Sequence, residues 1–501
     1  MQATPGGVDL EVDVAVVGAG AAGLYAALCA ARARGRVALV SAAPLAQTAS
    51  YWAQGGLAAA LAEDDSPELH LRDTERAGRG AMRRSAAEVL VAEAPECVAD
   101  LQSLGVRFDA DRFGRLALGL EGGHSVRRVV HAGGSATGRR LLRALSALAV
   151  AERRVAVLEN VRARALWWRE DAGRCGGVVC EDGRTIAARA VILSTGGAAA
   201  LWSRTTNPPG SQGVGLLLAH ALGAKLADAE FVQFHPTAVK GVKGREGFLI
   251  TEAIRGEGAT LHDAQGERFV DELAPRDEVS RAIWTRMHDT GADHVGLDMR
   301  AIDPALFPNV VGALREAGVD PTRELVPVAP AAHYTMGGVA TDLHGRSTVA
   351  GLYAVGETSC TGLHGANRLA SNSLSECFVY GRRAALSALE EPAPAASARA
   401  SEGTGTHELE ALAALPAPPR VSAETREALW RDAGIERSAE GLARLAHDPH
   451  PLARIIAACA LERRESRGAH RRVEYPDPDP ALNSRHIVVD AEGKLGWEAW
   501  E

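Results

Sequence analysis

A chain of 501 residues with 46% hydrophobic and 24% charged residues has room for more than one packed domain and the balance of an ordinary globular protein, which excludes a disordered chain. The formal net charge of −8 gives no overall attraction for nucleic acid or an anionic membrane, so an anionic ligand has to be captured by local positive groups in a pocket. Seven scattered cysteines without a CxxC pair fit neither a disulfide framework nor a zinc site and point to a reducing compartment, with no metal expected.

The N-terminus "MQATPGGVDLEVD" is too acidic and too weakly apolar for a signal peptide, and no apolar run reaches the roughly 18 residues that cross a bilayer, so a cytoplasmic protein is expected. The stretch "VDVAVVGAGAAGLYAALCAARARGRVALVS" then reads as strand, tight turn, helix and strand. Gly18, Gly20 and Gly23 allow a sharp turn and close backbone approach, and the amides at the helix start, with Ala21 and Ala22, can hold a pyrophosphate. Alone, the glycine run also fits a turn that merely packs a helix on a sheet. The second strand ends at Ser41 with no following acid, which weakens a nicotinamide reading.

Later strand-like runs, "AVILSTGG" at 190–197 and "GLYAVGE" at 351–357, the latter ending in Glu357, read as further parallel strands whose carboxyl ends face a ligand. The chain is expected to be α/β. A Rossmann-like nucleotide-binding domain spans 1–227 and 336–390, an inserted α+β capping domain 228–335, a linker rich in Ala, Pro, Ser and Glu 391–419, and a C-terminal helical domain 420–501.

Ordered along this frame stand "ASYWAQGG" (49–56), "QFHPT" (233–237), "TEAIRGEGA" (251–259), "ELAPRDEV" (272–279), "AAHYTMGG" (331–338) and "HGANRLASNSL" (364–374). The last opens a helical run with Ser and Asn at capping positions, so its start presents free amides and a positive dipole end that stabilise negative charge; a capped core helix would read the same. With the glycine motif, these segments resemble the flavoprotein family of fumarate reductase and succinate dehydrogenase, and within it the branch that oxidises L-aspartate. The resemblance runs from about Asp13 to Gly381 and returns at "RRESRGAHRRVEYP" (463–476).

The resemblance implies FAD as cofactor, held by the glycine motif, Ser41, the segment Ala49, Ser50, Tyr51, Trp52, Ala53, Gln54, Gly55 and Gly56, Glu357, and the helix start Asn372, Ser373 and Leu374 beside the flavin N1 and C2 carbonyl. Ala49 stands where the respiratory dehydrogenases carry a histidine bonded to FAD, so non-covalent binding is expected. Val214 stands in "GVG" where the family usually has an acid, and the C-terminal region reads as shorter than a three-helix tail.

The resemblance further implies that His333 and Arg368 hold one substrate carboxylate and His235 and Thr251 the other, while Arg276, Glu252 and Arg255 relay a proton. An isolated arginine is usually a solvated surface residue. A guanidinium titrates above about 12 in solution, so a proton role for Arg276 needs a dry, positively crowded site. His124 and His364 are read as structural. Glu121, in "EGGHS", marks the aspartate-oxidising branch; its carboxylate is expected to pair with the substrate α-ammonium, which succinate lacks. The implied reaction takes L-aspartate to iminoaspartate, with oxygen or fumarate as acceptor and functional coupling to quinolinate synthase on the route to NAD. A soluble fumarate reductase working on fumarate and succinate is the alternative, and a flavin-fold binding protein without chemistry a more distant one.

Overall fold

The computed structural model describes residues 8–392 and 416–501, so most of the expected linker lies outside the described residues. The β-branched run Leu10–Val17 forms the centre of a seven-stranded sheet because it is flanked in parallel by two other apolar strands, Val37–Ser41 and Thr185–Leu193. Val155–Glu159 extends the sheet in parallel beyond Val37–Ser41, and Leu352–Ala354 pairs in parallel with the end of Thr185–Leu193. The carboxyl ends of all five therefore open onto one edge, where Gly18, Ser41, Gly196 and Glu357 sit.

At that edge Gly18 turns with φ of 111°, and a Cβ there would lie 2.2 Å from the Ser194 carbonyl oxygen, so only glycine fits. Gly23 lets the helix Ala21–Arg32 press onto the turn, since a Cβ would meet the Gly18 oxygen at 1.9 Å. The helix Asn372–Glu390 lies against Ala21–Arg32, with Tyr25 and Phe378 edge to face at 5.2 Å between ring centroids. This contact delivers the second helix start to the same edge.

Between these elements an antiparallel sheet, Val232–Val239, Val326–Thr335, Val295–Asp298 and Thr260–His262, packs against the helices Arg276–Thr290 and Pro308–Glu316 around its own apolar cluster, including Ile250, Leu261, Ile283, Leu297 and Val328.

The C-terminal region corrects one expectation. Among the described residues it holds the short helices Ala423–Asp432, Ala439–Leu445 and Pro451–Glu462. It is not helical to its end: Arg485–Val489 and Leu495–Ala499 form a hairpin that pairs with Leu226–Ala227 in a five-stranded sheet. The β-branched Ile487, Val488 and Val489 are buried in that sheet, the second strand is half-buried against them, and the hairpin turns at Gly493 with φ of 78°.

Buried charge locks this tail onto the capping sheet. Arg463, fully buried, donates to Glu230 at 2.6 Å and Glu465 at 3.0 Å and lies over the rings of Phe231 and Trp497. His486 pairs with Asp228 at 2.6 Å. Residues 228–231 lead straight into Val232–Val239, the strand that carries Gln233 and His235. Replacing Arg463 with alanine leaves Glu230 buried without its cation, while Glu465 keeps Arg467, and unfolding in urea should show a loss of about 3–5 kcal/mol; a loss below about 1 kcal/mol would remove this network from the account.

Candidate active site

Arg276 opens the helix Arg276–Thr290 and is turned inward, where its Nε donates to Glu252 Oε2 at 2.6 Å and its Nη1 to Gln233 Oε1 at 3.1 Å. Glu252 opens the one-turn helix Glu252–Gly256, which places Arg255 on the same face three residues on, with Arg255 Nη2 3.1 Å from Glu252 Oε1. Arg255 is otherwise tied to the Glu272 carbonyl. Arg276, Glu252 and Arg255 thus form one contiguous buried chain.

Arg368 reaches the same centre from the other side. Its Nε donates to Gln233 Oε1 at 3.3 Å, its Nη1 donates to Ser373, and its guanidinium lies over the Tyr334 ring at 4.4 Å. Burial, then the charge of Arg276, pulls Arg368 down to about 10. His235 and His333 stand edge to face with centroids 5.0 Å apart, on the neighbouring strands Val232–Val239 and Val326–Thr335. Burial and the nearby arginines push both well below the ordinary histidine range, so both are neutral hydrogen-bonding groups. His235 Nδ1 accepts from the Thr237 amide at 3.2 Å and His333 Nδ1 is 2.7 Å from the Thr206 hydroxyl. Thr251 caps the Glu252 helix by position only, with no side-chain cap.

Glu121 is 2% exposed. The Ser371 hydroxyl donates to its Oε2 at 2.6 Å, while Oε1 has no hydrogen-bond partner and lies 3.4 Å from His131 Nε2, an ion-pair contact. Burial works to raise this carboxyl, but His131, Ser371 and the charge of Arg276 outweigh it and hold it at about 2. Its loop touches Glu252, since a Cβ on Gly122 would meet Glu252 Oε1 at 2.2 Å. Beneath the loop Arg128, fully buried, joins Asp65 and Asp73, and Asp73 accepts from the Ser125 amide and hydroxyl. His124 Nε2 donates to the Ala370 carbonyl at 2.9 Å, and His364 pairs with Glu376 at 2.9 Å, both in structural settings.

The expected capping of the Asn372–Glu390 helix is corrected. Ser371 occupies the N-cap position but with φ of 62° and no side-chain cap, because its hydroxyl is spent on Glu121 and accepts from the Gly56 amide. The helix start at Asn372, Ser373 and Leu374 therefore keeps a positive end without a serine cap.

A flavin nucleotide fits the groups present. Gly20 provides an uncapped helix start, although the Ala21 amide is met by Ser50 Oγ at 3.1 Å; Thr48 Oγ1 and Gln54 Oε1 are buried without partners; and a Cβ on Gly197 would strike Glu357 at 2.2 Å. Glu357 bonds the Thr335 amide, and burial raises it to about 7. Ser41 turns its hydroxyl to the Ala43 carbonyl. Trp52 is 59% exposed, so its indole stands outside the buried cradle that Ala49, Ala53, Gly55 and Gly56 approach. Helix Val214–Ala221 starts from Gly213 with φ of 70°, so Val214 leaves that start without an acid.

Sequence reading missed Gln233, Ser371 and His131. Gln233 lay within a quoted motif, but its complete burial between two arginines is visible only in the structure.

A family model described as FAD binding domain matches residues 13–374, and one described as Fumarate reductase flavoprotein C-term matches residues 447–499. The L-aspartate oxidase of Streptomyces coelicolor is 43% identical over 552 residues, covering 96% of this chain and 91% of its own length. That of Caulobacter vibrioides is 45% identical over 505 residues, covering 95% and 96%. Among solved structures, E. coli quinol fumarate reductase FrdA superposes with a TM-score of 0.86 at 29% identity, covering 100% of this chain and 97% of that one.

Gln233→Leu removes the one acceptor shared by Arg276 and Arg368 and leaves two buried donors unmet, so kcat/KM should fall about 5- to 150-fold with FAD still bound, the equivalent of about 1–3 kcal/mol. An unchanged kcat/KM would show that the arginines are placed without it.

Proposed function

Since this chain belongs to the L-aspartate oxidases of the FAD-binding flavoprotein family, we propose that it removes two electrons from L-aspartate at the junction of the capping sheet and the Asn372–Glu390 helix start. The product is iminoaspartate, the acceptor is oxygen or fumarate, and the step is the entry to NAD synthesis through quinolinate. FAD, when bound, takes up the electron pair; Ala49 offers no ring for a covalent link, so the cofactor is held non-covalently. Because an imine hydrolyses in water, the proposal includes functional coupling to quinolinate synthase. Among the described residues no helix is long and apolar enough to cross a membrane.

The roles follow from charge. Arg368 and His333 hold one carboxylate, Arg368 through its planar fork, and His235 and Thr251 hold the other. Neutral histidines suit this, since they donate without adding charge to a site that already contains Arg255, Arg276 and Arg368. In the fumarate direction Arg276 gives up the proton that carbon gains and is resupplied through Glu252, with Arg255 on the far oxygen. Arg255 is shifted down by burial, which eases such a transfer.

The observation that carries the reading is the buried, ionised Glu121 with one oxygen free of hydrogen bonds. A pocket for two carboxylates alone has no use for it. A substrate ammonium supplies the missing partner and fixes C2. Glu121→Gln should therefore cut kcat/KM for L-aspartate by about 30- to 4000-fold, or about 2–5 kcal/mol, while inhibition by succinate stays unchanged or tightens. Equal losses for both ligands would mean that Glu121 only supports its loop.

A further inference from the structure

His131 is the one titratable side chain in ion-pair contact with Glu121 among the described residues, and its position is set by a short antiparallel pair. Leu118–Gly119 pairs with Val129–Val130, folding the intervening loop so that Glu121 returns beside His131. The two facing atoms, His131 Nε2 and Glu121 Oε1, are both buried and neither makes a hydrogen bond, although they are 3.4 Å apart. The ring remains 16% exposed, so solvent protons reach it. The contact is unfinished: a proton on Nε2 completes it, and so does a cation from elsewhere placed on Oε1.

We propose that His131 is a proton-linked positioning residue that acts through Glu121 to set which dicarboxylate the pocket accepts. Protonated, it occupies Glu121 and competes with the substrate ammonium; neutral, it leaves Oε1 to L-aspartate. Plain dicarboxylates such as succinate and fumarate carry no ammonium, so they are indifferent to this competition or gain when Glu121 is neutralised. The inference rests on the assignment of Glu121 to the ammonium made above.

The other charged groups around His131 do not duplicate the role. Asp109 is committed to the amides of Gly133 and Gly134, and Arg140, on the helix Thr137–Ala151, lies against Gly133. Arg276 acts on Glu121 from across the site. His235 and His333 are held neutral and so contribute no competing titration in the histidine range.

The test is the pH profile from about pH 5.5 to 8 of kcat/KM for L-aspartate beside the inhibition constant of succinate, on FAD-loaded wild type, His131→Gln, His131→Arg and Glu121→Gln. In wild type the aspartate value should fall as pH falls across this range, with no parallel weakening of succinate. His131→Gln should flatten that fall, and His131→Arg, a permanent cation, should depress aspartate at least about tenfold at pH 8 while leaving succinate in place. A merely structural residue would not give opposite responses to the two replacements. A wild-type profile in His131→Gln, or equal losses of aspartate and succinate in His131→Arg, overturns the proposal. If Glu121→Gln instead weakens both ligands equally, the assignment of Glu121 to the ammonium falls.

Discussion

Arg255, Arg276 and Arg368 are buried around one centre with Glu252 as, among the described residues, the only carboxylate in direct contact with them. Uncompensated charge at that depth is costly, and proteins tolerate it when hydrogen bonds and ligand charges complete the balance. Gln233 gives one oxygen to two of the three guanidinium groups, and Glu252 is shared between the other combination. The charge left over is positive, which matches a ligand with two carboxylates.

The fold is organised to hold that cluster. Strands Val232–Val239 and Val326–Thr335 bring the histidines and Gln233 from the capping sheet, the helix Arg276–Thr290 presents its first residue, and the Asn372–Glu390 helix presents its start. The C-terminal tail is part of the same construction. Its Arg463 pins the residues that enter the strand carrying His235, so a region distant in sequence fixes that histidine. Against this positive field, Glu121 is the exception, kept ionised at about 2 despite full burial. In the proposed reading, selectivity between an amino dicarboxylate and a plain one comes from that carboxylate.

Much of this was legible in the sequence. The glycine turn reads directly because its spacing answers a steric demand, a Cβ at Gly18 having no room. The arginines and histidines could be chosen only through the resemblance, since nothing in the local pattern around Arg276 or Arg368 separates a buried guanidinium from a solvated one. What stayed hidden is tertiary. Ser371 reads as an N-cap, yet its hydroxyl goes to a residue 250 positions away and its backbone turns left-handed. His131 meets Glu121 through strand pairing of only two residues on each side, too short to recognise from alternation. The closing hairpin was obscured because its strands, Arg485–Val489 and Leu495–Ala499, find their partner at Leu226–Ala227.

The central claim is that the cationic pocket with one opposing carboxylate is built to oxidise an amino dicarboxylate. Mixing the FAD-loaded protein anaerobically with L-aspartate or with succinate at equal concentration, and following loss of the oxidised flavin band in a stopped-flow instrument, tests it most directly. The account predicts rapid bleaching by L-aspartate and little or none by succinate on the same timescale. Bleaching by succinate as fast as by L-aspartate would contradict it.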